Sequence, residues 1–578
     1  MAFLFAFVAI VVWGCAAGKE CTNNDAQSHT FRYQLSTSTN ETWNIMSHNH
    51  LTTKDDHLLA DLLPRKLLKE ENQRNLDMLR KIEKVGVLKP PQQPQDFLKP
   101  VSLHDVRLSQ GSIHAQAQQT NLEYLLMLDV DRLLWSFRKT AGLPTPGTPY
   151  GGWEDPKMEL RGHFVEPGVM IYMLPQGRGV SKAKTYFGWG TKFDSFWCCY
   201  GTGIESFSKL GDSIYFEEQG ENPTLYIIQY ISSLFNWKSG QIILNQTVVP
   251  PASWDPFLRV SFTFSPAKKT GALSTLNFRL PTRMHKNGEK GILNNETLTL
   301  PGPGNFLSIT RKWNAGDKLS LQLPLTLRAE AIKDDRTKYA SIQAILYGPY
   351  LLAGNTTGDW NIKTAANASI ADWITPIPAS YNSHLFYFSQ AFANSTFVLT
   401  NSNQSLAVKK VPEPGTDSAL GATFRVIQGK SSTKFTTLTD AIGKSVMLEP
   451  FDHPGMQVIH QGIELPLTVV GSSSGGPSSV FVVVPGLDGQ KETISLESKS
   501  HNGCFVHSGL RSGRGVKLSC KTTSDATFNQ AASFIAKRGI SKYNPISFVA
   551  KGENRNFLLE PLLAFRDESY TVYFNIKG

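Results

Sequence analysis

The chain has 578 residues, 40% of them hydrophobic, 18% charged and 11% aromatic, and a net charge of +10. Such a length predicts roughly three to four domains, and a composition free of long low-complexity tracts excludes disorder and coiled coil in favour of β-leaning globular structure. Nucleic-acid binding would require Lys and Arg gathered into a basic patch; here they are scattered, so the basic balance fits a secreted protein that meets acidic polysaccharide.

Met1–Gly18 reads as a secretory signal peptide. An apolar run from Phe3 to Trp13 leads into Gly14, Ala16, Ala17 and Gly18, then polar Lys19 and Glu20. The run is too short to span a bilayer, and no later stretch is long and apolar enough, so no membrane span is expected. Residues 19–100 form an N-terminal segment that is first polar, then leucine-rich over Asp55–Val87, with Pro64 interrupting the helical spacing. Pro90, Pro91, Pro94 and Pro100 mark a linker.

Residues 101–211 change character. Thr120–Lys139 predicts one helix: Thr120 and Glu123 form a capping box, Leu122, Leu126, Val130, Leu133 and Phe137 an apolar stripe, and Gly142 stands past the end. Thr145–Gly152 is an irregular Pro/Gly loop, and a short helix is expected over Gly203–Leu210.

From Glu166 the pattern turns to β. Apolar runs at Tyr226–Tyr230, Gln241–Leu244, Leu258–Phe264, Thr275–Leu280, Phe306–Thr310, Lys318–Leu323 and Ser341–Tyr347 predict β-sandwich structure over 212–410, with Asn287-Gly288 as a hairpin turn. Beyond it, Val446–Glu449, Ile494–Glu497 and Ile546–Val549 repeat at about fifty-residue spacing, with Phe424, Phe481 and Phe534 as a second series. Three such copies predict a β-trefoil over 416–577. Within one lobe, Cys504 and Cys520 suit a disulfide in an oxidising compartment. Seven N-x-Ser/Thr sequons (Asn40, Asn245, Asn295, Asn355, Asn367, Asn394, Asn403) agree with secretion.

The six cysteines include one adjacent pair, Cys198-Cys199, in Phe193–Gly203 (F-D-S-F-W-C-C-Y-G-T-G). A side-by-side pair among aromatics suggests a thiolate metal site or a nucleophile. Read with Thr120–Arg138 and Gly151–Pro156 (G-G-W-E-D-P), this motif resembles plant β-L-arabinofuranosidase-like glycoside hydrolases of families 127 and 146. Pro485–Gly489, Leu496–Ser498 and Asp525–Phe528 resemble the arabinofuranosidase B type of β-trefoil, an arabinose-binding module. The resemblance implies a mainly β chain: an (α/α)6 barrel remnant, then β-sandwich domains and a C-terminal β-trefoil. It implies retaining chemistry with a cysteine nucleophile, a glutamate acid/base, and a zinc held by Glu and three Cys. By position, Cys198 matches the nucleophile and zinc ligand and Cys199 the adjacent ligand. Zinc would keep the thiol deprotonated, and the thiolate is the reactive form.

The chain departs from that family where an (α/α)6 barrel needs twelve helices. Between Phe164 and Glu166 it passes straight from the first barrel helices towards the cysteine pair. No Glu-x-Cys occurs upstream of Cys198, since Cys15 and Cys21 are the earlier cysteines, and nothing matches the acid/base glutamate. Two thiolates fall short of the four ligands of a structural zinc site. The sequence therefore implies an internally shortened homologue whose zinc is lost or weak. Its partners are arabinose-containing polysaccharide or glycoprotein glycans in the extracellular space or cell wall. An active retaining arabinofuranosidase and a non-functional splice or gene-model fragment are the other two readings. Glu154 and Glu205 are solvated turn residues as readily as substitute acids. His163 and Trp153 are candidate sugar contacts or core residues, as are Trp189 and Trp197. In the trefoil, Asp488, His507 and Asp525 are candidate sugar contacts, although Asp beside Gly is also turn chemistry.

Overall fold

The computed structural model describes residues 98–152, 195–196 and 206–577, apart from 219, 221, 267–269, 283–287, 333–336, 366–367, 429–436, 511, 514, 523–524 and 567. The expected signal peptide, the leucine-rich segment and most of the cysteine motif lie outside the described residues. Within them the fold is mainly β, with no helix long and apolar enough to cross a membrane.

A two-sheet sandwich comes first, and it borrows strands from both sides of the helical segment. Leu98–Pro100 pairs with Tyr215–Glu218 in a five-stranded sheet, and Val106–Leu108 pairs with Ser233–Trp237 in a seven-stranded one. Alternation makes the core: Ser233, Phe235 and Trp237 point inward from one strand, as do Ile242, Leu244 and Gln246 from the next. Trp313 packs 4.1 Å from Phe264, and Tyr215 stacks 4.6 Å from Phe235. Each such ring is worth roughly 1.5–3 kcal/mol of burial. The seven expected runs all fall in or against observed strands. Asn287 of the expected hairpin turn lies outside the described residues; the strands on either side do not pair, Thr270–Arg279 lying in the five-stranded sheet and Lys290–Leu293 in the seven-stranded one.

The expected single helix is two, α1 (Ile113–Met127) and α2 (Val130–Thr140). Ser112 caps α1, so Thr120 stands in mid-helix rather than at an N-cap. Asp129 interrupts the run: its carboxylate accepts the backbone N–H groups of Asp131 (2.9 Å) and Arg132 (3.3 Å). A side-chain cap is worth about 1 kcal/mol, enough to restart a helix within an otherwise continuous apolar stripe. Of the helix expected over 203–210, residues 206–208 are described and helical.

A nine-stranded sheet follows, with a core of Ile345, Leu352, Phe548, Phe557 and Phe574. The chain leaves it after Ile374–Pro376 and returns at Phe548–Ala550, and these two strands are antiparallel neighbours with Pro376 opposite Phe548.

Between them stands the trefoil. Three lobes of four strands run over Leu385–Gln428 (A), Ser445–Pro485 (B) and Thr493–Arg538 (C). The first strand of each lobe pairs with the fourth strand of its own lobe and of the preceding one, closing a six-stranded barrel. The middle strands form three hairpins. Phe424, Phe481 and Phe534 begin the three fourth strands and are buried. The repeat at Val446 and Ile494 marks two first strands. In each, a glutamate accepts the N–H of a left-handed glycine, Glu449 from Gly455 (3.1 Å) and Glu497 from Gly503 (2.7 Å). The third copy at Ile546–Val549 is a correction: Phe548–Ala550 belongs to the nine-stranded sheet, and the true third first strand is Leu385–Phe392. A half-buried strand shows the same period-2 pattern whichever sheet holds it. The trefoil therefore spans 385–538 rather than 416–577.

Candidate functional site

Of the cysteine motif, Ser195–Phe196 is described, and it pairs in parallel with Gly151–Gly152 (Gly151 opposite Ser195, Gly152 opposite Phe196). Two motifs far apart in sequence thus start side by side. The loop before Gly151 is pinned to α2. The buried Tyr150 hydroxyl accepts the Asp129 N–H at 2.8 Å, Arg132 lies 4.0 Å above the Tyr150 ring, and Trp135 Nε1 donates to the Gly147 carbonyl at 3.2 Å. Cys198, Cys199, His163 and Trp153 lie outside the described residues, as do Glu154, Glu205, Trp189 and Trp197. Among the described residues no group of three or more His, Cys, Asp and Glu side chains could hold a metal. Beside α1 lies an open cleft of about 860 Å³ lined by Leu108, Gln116, Gln119, Leu122 and Ser208. Among the described residues its amide-rich wall offers hydrogen bonds and no acid.

The trefoil candidates separate into two roles. Asp488 closes the turn between lobes B and C: its Oδ1 accepts from Thr493 Oγ1 (2.5 Å) and the Gln490 N–H (3.1 Å), while its own N–H donates to Ser533 Oγ (3.0 Å). That carboxylate does turn chemistry. His507 and Asp525 instead come together in lobe C. His507 ends the strand Cys504–His507 and lies 4.9 Å from the Phe528 ring, and its buried Nδ1 has no hydrogen-bond partner. Asp525 is exposed and caps Ala526–Ala531 through the Thr527 N–H at 2.8 Å. Burial holds the His507 imidazole below its ordinary range; Lys517, its cross-strand partner, pushes the same way, and Glu464 and Asp525 oppose. A neutral imidazole, an exposed carboxylate and an aromatic ring together can hydrogen-bond adjacent sugar hydroxyls and pack against a sugar's apolar face.

Sequence reasoning missed Glu464, Lys517 and Ser519. Glu464 comes from the lobe B hairpin and reaches lobe C, where it pairs with Lys517 and accepts Ser519 Oγ at 2.6 Å. The Lys517 bond, more than the Ser519 one, holds its carboxyl below the ordinary range. Nothing in local spacing announces a contact between lobes. Cys504 and Cys520 face each other across the lobe C hairpin and form a disulfide. Among the sequons, Asn245, Asn295, Asn394 and Asn403 are exposed, whereas Asn355 is 5% exposed, inside a strand of the nine-stranded sheet.

Residues 105–167 match the family model described as β-L-arabinofuranosidase, GH127 catalytic domain, and residues 224–325 match the GH127 middle domain. No curated protein matches the chain. Among solved structures, a GH127 β-L-arabinofuranosidase from Geobacillus stearothermophilus T6 is 15% identical, with 42% of this chain and 32% of that one covered and a TM-score of 0.24. The GH127 β-arabinofuranosidase BT3674 is 16% identical, with 39% and 34% covered and a TM-score of 0.22. A GH54 α-L-arabinofuranosidase mutant is 11% identical, with 52% and 53% covered and a TM-score of 0.22. The chain spans about a third of the length of the two GH127 structures. The two matched segments support a GH127 β-L-arabinofuranosidase-like glycoside hydrolase relationship for this chain.

Proposed function

We propose that the protein is a secreted, catalytically impaired member of this group that binds L-arabinofuranosyl-containing cell-wall glycans through lobe C of its trefoil. One observation carries the reading. The catalytic-domain match ends at 167 and the middle-domain match begins at 224, whereas the trefoil has all twelve strands. Between 167 and 224 the chain has the Cys198-Cys199 pair but no further Cys, His-rich or Glu-x-Cys motif to complete a four-ligand zinc site. The donor set therefore does not fit a tightly held zinc, and no catalytic step is assigned to it.

The expected outcome is less than stoichiometric zinc in the purified protein and no hydrolysis of an aryl β-L-arabinofuranoside, alongside retention on an arabinan column. Stoichiometric zinc with turnover abolished by Cys198→Ala would replace this reading with that of an active retaining enzyme.

A further inference from the structure

Given the reading that lobe C takes an arabinofuranosyl unit, we propose that the trefoil is monovalent, the equivalent corners of lobes A and B having become struts that hold the molecule together. In each lobe that corner combines the end of the second strand with the helical turn between the third and fourth strands. In lobe C it is open: Asp525 is exposed, and the half-buried His507 ring lies beside Phe528.

In lobe A the carboxylate at the helix start is Asp417, and both its oxygens are engaged by the nine-stranded domain. Oδ1 accepts the Ser569 N–H at 2.7 Å and Oδ2 the Ser569 hydroxyl at 2.6 Å. Just before it, a Cβ on Gly415 would fall 2.9 Å from Arg566 Cδ, so this corner lies directly against the neighbouring domain. In the position of His507, one residue past the equivalent core residues Leu399 and Val506, lobe A has Thr400, 3% exposed, whose hydroxyl donates to the Asn401 carbonyl at 3.3 Å. Asn401 Nδ2 is already bound to Asp452 Oδ1 (3.3 Å) and His453 Nδ1 (3.1 Å) of lobe B.

Lobe B has Ile459 in the position of His507, with His460 one residue further on and facing the other side of the strand, and it has no acid in its helical turn. Ser472–Ser479 holds only Ser, Gly and Pro. His460 is 3% exposed, with Nε2 at 3.0 Å from Ser498 Oγ and 2.9 Å from Ser500 Oγ, and its ring meets His501 edge-on at 5.0 Å. That ring ties lobe B to lobe C and has no face left for a ligand.

Calorimetric titration of the full chain with α-1,5-linked arabinotriose tests this. One equivalent should bind. Asp525→Asn should weaken binding at least tenfold while remaining folded, since Asn caps a helix as well as Asp, and His507→Gln should do likewise. Asp417→Asn should leave affinity and stoichiometry unchanged. Two or three equivalents, or binding lost in Asp417→Asn and retained in Asp525→Asn, would overturn monovalency while leaving glycan binding intact. No binding by the wild-type chain would overturn the glycan-binding reading itself, and monovalency with it.

Discussion

Glu560 is the residue whose environment speaks most directly to solution behaviour. Its strand lies in the nine-stranded sheet, yet its carboxylate accepts the Asn544 N–H (2.9 Å) and the Ser547 hydroxyl (2.8 Å), both on the chain returning from the trefoil. Those bonds favour the carboxylate, but burial outweighs them and pushes the group up to about 7. The folded state thus holds a proton that the unfolded state releases near 4.5. Stability from this group is complete below that lower value and is lost as pH rises towards 7. We expect melting temperature to fall over pH 4.5–7, by the equivalent of roughly 3 kcal/mol at most. Glu560→Gln should flatten that slope; an unchanged slope would place the titration elsewhere. The His507 imidazole shifts downward, so glycan binding should stay level from pH 8 through the usual imidazole range and fall only below it. A binding curve centred at 6.5 or above would contradict the neutral ring. Arg425 and Glu449 meet at 2.8 Å with the guanidinium 3.9 Å above Tyr381. Glu449→Gln should cost about 3–5 kcal/mol in urea unfolding, because it strands a buried charge.

Among the elements, the two helices are the least settled. Neither buries an apolar side chain: Leu126 is 77% and Phe137 64% exposed, with Met127 and Val130 close behind. An apolar surface of that kind is unusual on a monomer. A hydrophobic dye should bind the protein, and Leu126→Lys with Phe137→Lys should remove most of that signal without shifting the trefoil's melting transition. The lobe C hairpin is the opposite case, closed by a disulfide over a sequence separation of 16. Replacing both cysteines with serine should cost on the order of 3 kcal/mol. The sequence made strands easy to see, because Ser233–Trp237 and Ile242–Val249 alternate cleanly. It hid Asp129, whose capping role is indistinguishable in a pattern from a surface carboxylate within one long amphipathic helix.

Across the whole molecule, what could be read depended on how local the cause was. Phe424, Phe481 and Phe534 revealed threefold architecture because each lobe repeats one local strand. The boundary at 385 did not show, because the first lobe has Ser389 where the others have Glu449 and Glu497, followed by Gln390. Gln390 is satisfied at long range, donating to the carbonyls of Gln530, Ala531 and Ser533. Likewise His507 and Asp525 were legible as candidates, while Glu464 and Ser569 reach their partners across lobes or domains. Limited proteolysis should reflect the same division: cleavage within the two helices, Ile113–Thr140, first, with the trefoil and nine-stranded sheet released together. Separate release of the trefoil would argue against the Arg555 bridge, whose guanidinium joins the Asp452 carbonyl (2.6 Å) and His453 Nε2 (3.1 Å) to the sheet.

Pro376 and Phe548 stand opposite each other in adjacent strands, so the trefoil leaves and rejoins its host at a single point. A module attached at that one doorway can be removed by joining the two strands with a tight turn, and the sheet would close over the gap. Cutting the chain anywhere after 538 would instead take host strands with it, including Phe557–Pro561 and Tyr573–Lys577. Gain or loss of the trefoil is thus a matter of insertion and excision, and a stop codon late in the reading frame would damage the host before it touched the trefoil.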